Sequence, residues 1–178
     1  MHVLRTTMIG FLLLGVTAGA ATATAPQPSA KPQLVDGAPS VDALLDRFLA
    51  ALATRDESAM HRLRVTEQEY RGIIIPGMVK EGEPPRPVVA GPAEFFWRML
   101  NQKSEDTGRE IMLEFGGHRY TRANVIYTKG VRKFSWYTAI GEIRLHLKDE
   151  SGDEKILKTG SIAEVHGRYK FIGFNYND

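Results

Sequence analysis

Polar and apolar residues alternate most regularly in the last third of the chain. Between residues 142 and 148 the even positions are all charged or histidine, and the odd positions are Ile143, Leu145 and Leu147. Alternation with a period of two is typical of a β-strand with one buried face, because successive side chains point to opposite faces of the sheet. We therefore predict a half-buried strand over this segment.

Immediately upstream of residue 142, the apolar residues occupy even-numbered positions instead of odd-numbered ones. Phe134, Trp136 and Ile140 are even-numbered. A regular strand would carry them on the opposite face from the odd-numbered apolar residues downstream. Gly141 lies at the change, and a β-bulge there would absorb one residue and bend the strand. The bend predicts a curved sheet.

Two more strands follow toward the C-terminus. The polar cluster at residues 149–154 predicts a turn, and residues 156–165 form the returning strand. The pair His166-Gly167 predicts a hairpin turn, since glycine supplies the positive φ that such turns need. The last strand then runs to Tyr176. A fourth strand precedes these three, through Tyr120, Val125 and Tyr127.

Helical spacing replaces the alternation in the first two thirds of the chain. Ser40 is a typical N-cap, and the helix after it has one continuous apolar stripe. Asp56 predicts a second N-cap, and residues 66–69 have the form of a capping box. The stripe of the first helix consists of Val41, Leu44, Leu45, Phe48, Leu49 and Leu52.

Residues 77–92 are rich in proline and glycine and predict a loop. Pro92 suits the first turn of the helix that follows. That helix is expected to bury Phe95, Phe96 and Leu100.

Helical spacing resumes at Ile111, Met112 and Phe115 and ends at Gly116-Gly117. Several helices are thus followed by about four strands. This order predicts an α+β fold, in which N-terminal helices pack on one face of a curved antiparallel sheet.

Residues 1–23 have the layout of a secretory signal peptide. Arg5 provides a basic start, residues 8–16 form a short apolar core, and the flank that follows is rich in alanine. Cleavage is expected after Ala21 or Ala23. An uncleaved anchor is the alternative, but the apolar core is shorter than the about 20 residues that span a bilayer.

The sequence therefore predicts an exported protein, periplasmic or secreted, that leaves the membrane after cleavage. A Pro-rich linker at residues 24–39 precedes a single α+β domain at residues 40–178. N-terminal sequencing of the protein from its native host tests the prediction. A soluble form that retains residues 1–14 would contradict it.

The charge and the cysteine content of the chain exclude several classes of function. The chain has 23 basic and 21 acidic residues without a long basic run, so nucleic-acid binding is not expected. It has no cysteine, which excludes disulfides and a thiol nucleophile. Phosphate-binding, dinucleotide-binding and zinc-protease motifs are missing from the sequence, and the five histidines lack metal-ligand spacing. We expect neither a metal nor a cofactor.

Three features resemble the nuclear transport factor 2-like superfamily, also called SnoaL-like. They are the capped amphipathic first helix, the short second helix that opens at Arg55-Asp56, and the hairpin sequence VHGRYKF from Val165 to Phe171. The resemblance is one of pattern and extends from about Val41 to Asn175. It implies a cone-shaped, cystatin-like domain with an interior pocket, and no single chemistry.

Aromatic residues that such a cone would point inward are the candidates for a ligand site. We predict Tyr70, Tyr120 and Trp136 as its walls, since small-ligand sites are usually apolar with a few polar groups. The wider set of inward candidates adds Trp97, His118, Tyr137 and Arg144, of which Trp97 is also a typical core residue.

Glu142 and His146 are the candidate acid and base, because they share one strand face. In the alternative interpretation, residues 142–148 form a solvated sheet face whose charges pair across strands. We prefer this second interpretation, since alternation alone explains all four polar residues.

Two functional classes remain. One is a non-catalytic module that binds a small apolar or amphipathic ligand, or a partner protein, in or around the pocket. The other is a cofactor-independent isomerase, dehydratase or hydrolase with an acid and a base in the pocket. Binding requires only the cavity and is preferred. The apolar sheet residues Phe134, Ile143, Phe171 and Phe174 also predict a homodimer, with sheets packed back to back.

Overall fold

The computed structural model of the protein describes residues 32–175. The predicted signal peptide and the first half of the predicted linker lie outside the described residues. The last strand was predicted to run to Tyr176, but it ends at Phe171, and Tyr176 itself lies outside the described residues. Within the described part, none of the helices has both the length and the apolar composition that crossing a bilayer requires.

Helical segments occupy the first part of the described residues. Ser40 Oγ and Asp56 Oδ1 accept hydrogen bonds from backbone N–H groups three residues onward, at 3.0 and 2.7 Å. Thr66 and Glu69 cap each other's backbone N–H groups. These three predicted helix starts are confirmed. The segments are α1 (Val41–Thr54), α2 (Glu57–Arg62), α3 (Glu67–Glu69), a π-helical turn (Tyr70–Ile74), α4 (Ile75–Gly77) and α5 (Ala90–Phe115).

Seven strands form two antiparallel sheets, ordered β1-β4-β5 and β2-β3-β6-β7. The predicted hairpin turn at His166 and Gly167 is confirmed, with φ angles of 49° and 73°. The predicted α+β class is confirmed as well. The strands are β1 (Thr121–Tyr127), β2 (Val131–Lys133), β3 (Thr138–Ile140), β4 (Ile143–Lys148), β5 (Glu154–Thr159), β6 (Ile162–Val165) and β7 (Arg168–Phe171).

The structure has three strands more than the about four predicted: two arise because glycines divide long strands, and the third is β2. At Gly141 the chain passes from β3 in one sheet to β4 in the other, so the predicted bulge is instead a break between sheets. Gly160 separates β5 from β6 in the same way. A Cβ at Gly160 would overlap the carbonyl oxygen of Gly173, so only glycine fits there without a shift of the backbone. The bulge in this sheet is in β1, between Arg122 and Asn124.

The long helix α5 corrects one prediction. Phe95 and Phe96 were expected in the core, but they are 52% and 54% exposed. The buried face of α5 includes small residues, among them Ser104 and Gly108, as well as larger apolar residues near its C-terminal end. The small residues permit close packing: a Cβ at Gly108 would lie 3.1 Å from the Met60 side chain. In the N-terminal part of this helix, burial therefore follows the closeness of neighbouring elements, whereas the C-terminal part buries the apolar residues Ile111, Met112 and Phe115.

The core lies between α1, α5 and the inner faces of the sheets. Phe48 of α1 is fully buried, and its ring centroid lies 5.4 Å from that of Phe171 and 5.7 Å from that of Phe174. The packed chain also extends upstream of α1. Ala38 is buried and exchanges two backbone hydrogen bonds of 2.9 Å with Tyr169, so the end of the predicted linker lies against β7.

Candidate functional site

A groove of about 860 Å³ runs along the helical side of the domain. We call it the helical groove. It is formed by α1, α2, the connection at residues 63–66 and α5, together with Lys170 of β7. Its walls are largely apolar, which suits a ligand with an apolar part. The apolar lining residues are Val35, Ala50, Ala51, Ala59, Leu63, Val65 and Trp97.

Arg64 is the central polar residue of the helical groove. It is only 4% exposed, and its guanidinium carbon lies 5.7 Å from the centre of the Phe174 ring. Its Nη2 donates to Asn101 Oδ1 at 2.9 Å, and its Nη1 lies 3.2 Å from His61 Nδ1. Its buried Nε has no hydrogen-bond partner. The site thus holds a desolvated cation whose hydrogen-bonding capacity is only partly used.

His61 is held in its neutral form by this arrangement. Arginine can only donate hydrogen bonds, so the contact with Arg64 requires an unprotonated Nδ1 on His61. Burial, followed by the Arg64 charge, lowers the pKa of His61 from its usual value. Burial likewise lowers the pKa of Arg64, whereas Glu105 opposes that shift. The charge of Glu105 acts on Arg64 from a distance, because Asn101 lies between them. Asn101 accepts from Arg64 and donates a 2.7 Å hydrogen bond to the Glu105 carboxylate.

A buried ion pair borders the helical groove. Lys170 Nζ lies 2.9 and 3.1 Å from the two carboxylate oxygens of Glu69, and both side chains are about 5% exposed or less. The same oxygens accept backbone N–H groups of Val35 at 2.6 Å and Thr66 at 2.7 Å. Glu69 therefore joins β7, α3 and the segment before α1, which fixes one wall of the groove.

The structure does not bring the three predicted wall residues together. Tyr70 is buried, with its ring 5.5 Å from that of Trp97. Trp136 is half-buried beside Gly77. Tyr120 packs against Phe115 in a different core cluster, with ring centroids 5.9 Å apart.

None of these three residues lines the helical groove. Its aromatic wall is Trp97, which was one of the wider set of candidates. Among the other candidates, Tyr137 is buried, and burial raises its pKa to about 12, whereas His118 and Arg144 are exposed.

The candidate acid and base lie elsewhere. Glu142 is in the connection between β3 and β4, where it accepts from Lys129 Nζ at 2.6 Å and from Asn175 Nδ2 at 3.2 Å. His146 is on the outer face of β4, between Asn124 and Ile156 of the neighbouring strands. Neither lines the helical groove. The Glu142 side chain is 17% exposed and His146 is half-buried, so the solvated-face interpretation and a catalytic role for the pair both stay predictions.

Sequence reasoning did not identify Arg64, His61 or Asn101. One signal was available: Trp97, Asn101 and Glu105 recur every four residues, which places them along one side of α5. In residues 32–175, no three His, Cys, Asp or Glu side chains are grouped so that they could hold a metal ion.

Comparisons with protein-family models, with curated proteins and with solved structures give no match for this chain. The resemblance to the nuclear transport factor 2-like superfamily therefore stays a prediction.

Proposed function

We propose that the protein is an exported, non-catalytic binding module that holds a small amphipathic molecule with an anionic group in the helical groove. The observation that carries this proposal is Arg64. Among residues 32–175, no carboxylate oxygen lies within ion-pair distance of its buried guanidinium. A buried charge is costly unless it is paired, so an anionic group that reaches this site gains a strong charge-assisted interaction.

The surroundings of Arg64 support the same ligand class. Trp97 and the alanines of α1 and α2 offer apolar surface for the rest of the molecule. Basic side chains outnumber acidic ones along the groove, and a net positive charge favours the approach of an anion. The basic lining residues are Arg47, Arg62, Arg64 and Lys170, and the acidic ones are Asp36 and Glu105. Because Glu69 neutralises Lys170, the three arginines supply the excess positive charge.

A second candidate is a cofactor-independent isomerase, dehydratase or hydrolase that uses His61. The observation in its favour is the neutral imidazole in the groove, since a neutral histidine can act as a general base. However, His61 Nδ1 faces Arg64, so the acceptor nitrogen of this tautomer is already engaged. Binding therefore remains the preferred function.

The anionic dye 8-anilinonaphthalene-1-sulfonate is a suitable probe of the groove. We expect the wild-type protein to bind it and Arg64→Gln to weaken binding by about tenfold or more. Hydrogen bonds to a charged group contribute about 1.5–3 kcal/mol, and about 1.4 kcal/mol corresponds to a factor of ten. Fluorescence titration gives the affinities, and near-ultraviolet circular dichroism excludes partly unfolded variants, which also bind this dye.

Two further variants make the test specific. Arg119→Gln makes the same change at an exposed site outside the groove and should leave the affinity unchanged. Ala50→Trp fills part of the groove from the exposed side of α1 and should compete with the dye without altering Arg64. If Arg64→Gln and Ala50→Trp both bind the dye as tightly as the wild type, the groove is not the binding site and the proposal is wrong.

A further inference from the structure

The contact between His61 and Arg64 exists only while His61 is neutral. Arg64 Nη1 lies 3.2 Å from His61 Nδ1, and both side chains line the helical groove. Arginine has no acceptor, so a protonated Nδ1 would bring two donors and two positive charges against each other. Protonation of His61 therefore breaks this hydrogen bond in the free protein. An anionic group in the groove removes the conflict, because it can accept a hydrogen bond from each of the two side chains.

We propose that binding in the helical groove is coupled to proton uptake by His61, so that an anionic ligand binds between protonated His61 and Arg64, and binds more tightly as the pH falls. This inference rests on the proposed function, since it requires an anionic group at Arg64. The proton comes from solvent and binds to His61 Nδ1, the nitrogen that faces Arg64 in the free protein. No covalent bond of the ligand is made or broken.

Charged groups from three elements act on His61. Glu57 lies on its own helix, Arg64 in the connection that follows, and Glu105 and Arg109 on α5. Burial has the largest effect and the Arg64 charge the next largest, and both lower the pKa of His61. Arg109 acts in the same direction, whereas the two carboxylates oppose it. An anion at Arg64 offsets the stronger of the two opposing positive charges, so binding raises the pKa of His61.

The direction of the pH dependence follows from this change. His61 holds its proton more tightly in the complex than in the free protein, so the complex binds more protons between the two pKa values. The gain in affinity is complete below the pKa of the free protein, and it is lost as the pH rises through the pKa of the complex. A rise of about one pKa unit, the low end of what an adjacent opposite charge produces, corresponds to about tenfold in affinity.

The coupled residues belong to one chain, so the device needs no second copy. The sheet surface first predicted for a homodimer is covered within the chain, since Ile143 and Phe171 are completely buried and Phe174 is 2% exposed. These three residues offer no surface to a partner, and a homodimer stays a prediction.

The first test is titration with 8-anilinonaphthalene-1-sulfonate between about pH 8 and about pH 5, the range in which histidine changes charge. The sulfonate stays ionised throughout, so the protein must supply any pH dependence. We expect the wild-type affinity to be about fivefold to tenfold higher at the lower pH. Near-ultraviolet circular dichroism at each pH excludes partly unfolded protein, which also binds the dye.

A matched pair of variants assigns the pH dependence to one residue. His61→Asn should abolish it, because the asparagine Oδ1 can accept from Arg64 in place of Nδ1 but does not titrate. His118→Asn makes the same change at an exposed position outside the groove and should retain the pH dependence of the wild type.

The second test measures the proton on the unmodified protein. Calorimetric titrations with the same dye at about pH 6, close to the usual pKa of histidine, are carried out in two buffers with different ionisation enthalpies. The difference between the two binding enthalpies gives the number of protons taken up. We expect net uptake by the wild type and by His118→Asn, and none by His61→Asn.

The outcomes distinguish this inference from the proposed function. If Arg64→Gln and Ala50→Trp both bind the dye as tightly as the wild type, the groove is not the site and both proposals are wrong. If binding requires Arg64 but neither changes with pH nor takes up a proton, only the coupling is overturned. A pH dependence that His61→Asn retains overturns it as well.

Discussion

Replacing Lys170 with methionine is expected to lower the free energy of unfolding by about 3–5 kcal/mol, because the variant leaves a buried carboxylate without its cation. Glu69 and Lys170 are almost completely removed from water, and both carboxylate oxygens contact Nζ. The two backbone N–H groups that Glu69 also accepts do not neutralise its charge. Urea denaturation measures the change.

Two controls accompany this variant. Lys155→Met makes the same substitution at an exposed position of β5 and should change the stability by about 0.5 kcal/mol or less. The double variant Glu69→Gln with Lys170→Met removes both charges and should be more stable than the two single effects added together, since neither partner is left charged and unpaired. A Lys170→Met protein as stable as the wild type would show that the pair contributes nothing to the fold.

Phe48→Ala should destabilise the domain by about 3–5 kcal/mol, through lost burial and the cavity that remains. The ring contacts Phe171 and Phe174, so its removal loosens the attachment of α1 to the end of the sheet. This loss is a large fraction of the stability of a typical domain, and the chain has no disulfide to offset it. A thermal melt monitored by circular dichroism reports it.

The matched control is Phe96→Ala, which deletes the same ring from an exposed site on α5. It should leave the melting temperature nearly unchanged, since surface substitutions usually alter stability by about 0.5 kcal/mol or less. Equal effects of the two variants would mean that α1 does not organise the core.

The helix starts and the fold class could be predicted because their signals are local. A cap at Ser40 or Asp56 depends on hydrogen bonds to backbone groups three residues away. The alternation in β4 records which side of one strand is buried. Caps and alternation depend only on residues that are close in the sequence, so they can be recognised from the sequence alone.

The burial of α5 and the division of the strands could not be predicted because they depend on distant contacts. Ser104 is buried since its hydroxyl accepts the N–H of Phe174, from the far end of the chain, at 3.2 Å. Phe95 is exposed because no described element covers that side of the helix. The strand break lies at Gly160, where the carbonyl group of Gly173 leaves no room for a side chain. The residues around Gly160 give no sign of this distant contact.

The groove was missed for the same reason. Arg64 lies in a short connection, where an arginine is normally a surface residue. It is buried only because Asn101 of α5 and the Phe174 ring close over it. Tyr70 and Trp136 were chosen for their aromatic rings, but buried tyrosines and tryptophans more often complete a core than line a site.

The contact of α1 with the residues at and after β7 also bears on when the core can be completed during synthesis. Phe48 belongs to the first helix of the described chain, and Phe171 and Phe174 belong to its last residues. During synthesis the part of the α1 stripe around Phe48 therefore lacks its final contacts until almost the whole domain has been made. Contacts between such distant residues form late, because the intervening chain must first lose its conformational freedom. A growing chain of this kind remains open and accessible for most of its synthesis, and a truncated copy without β7 leaves α1 exposed to proteases.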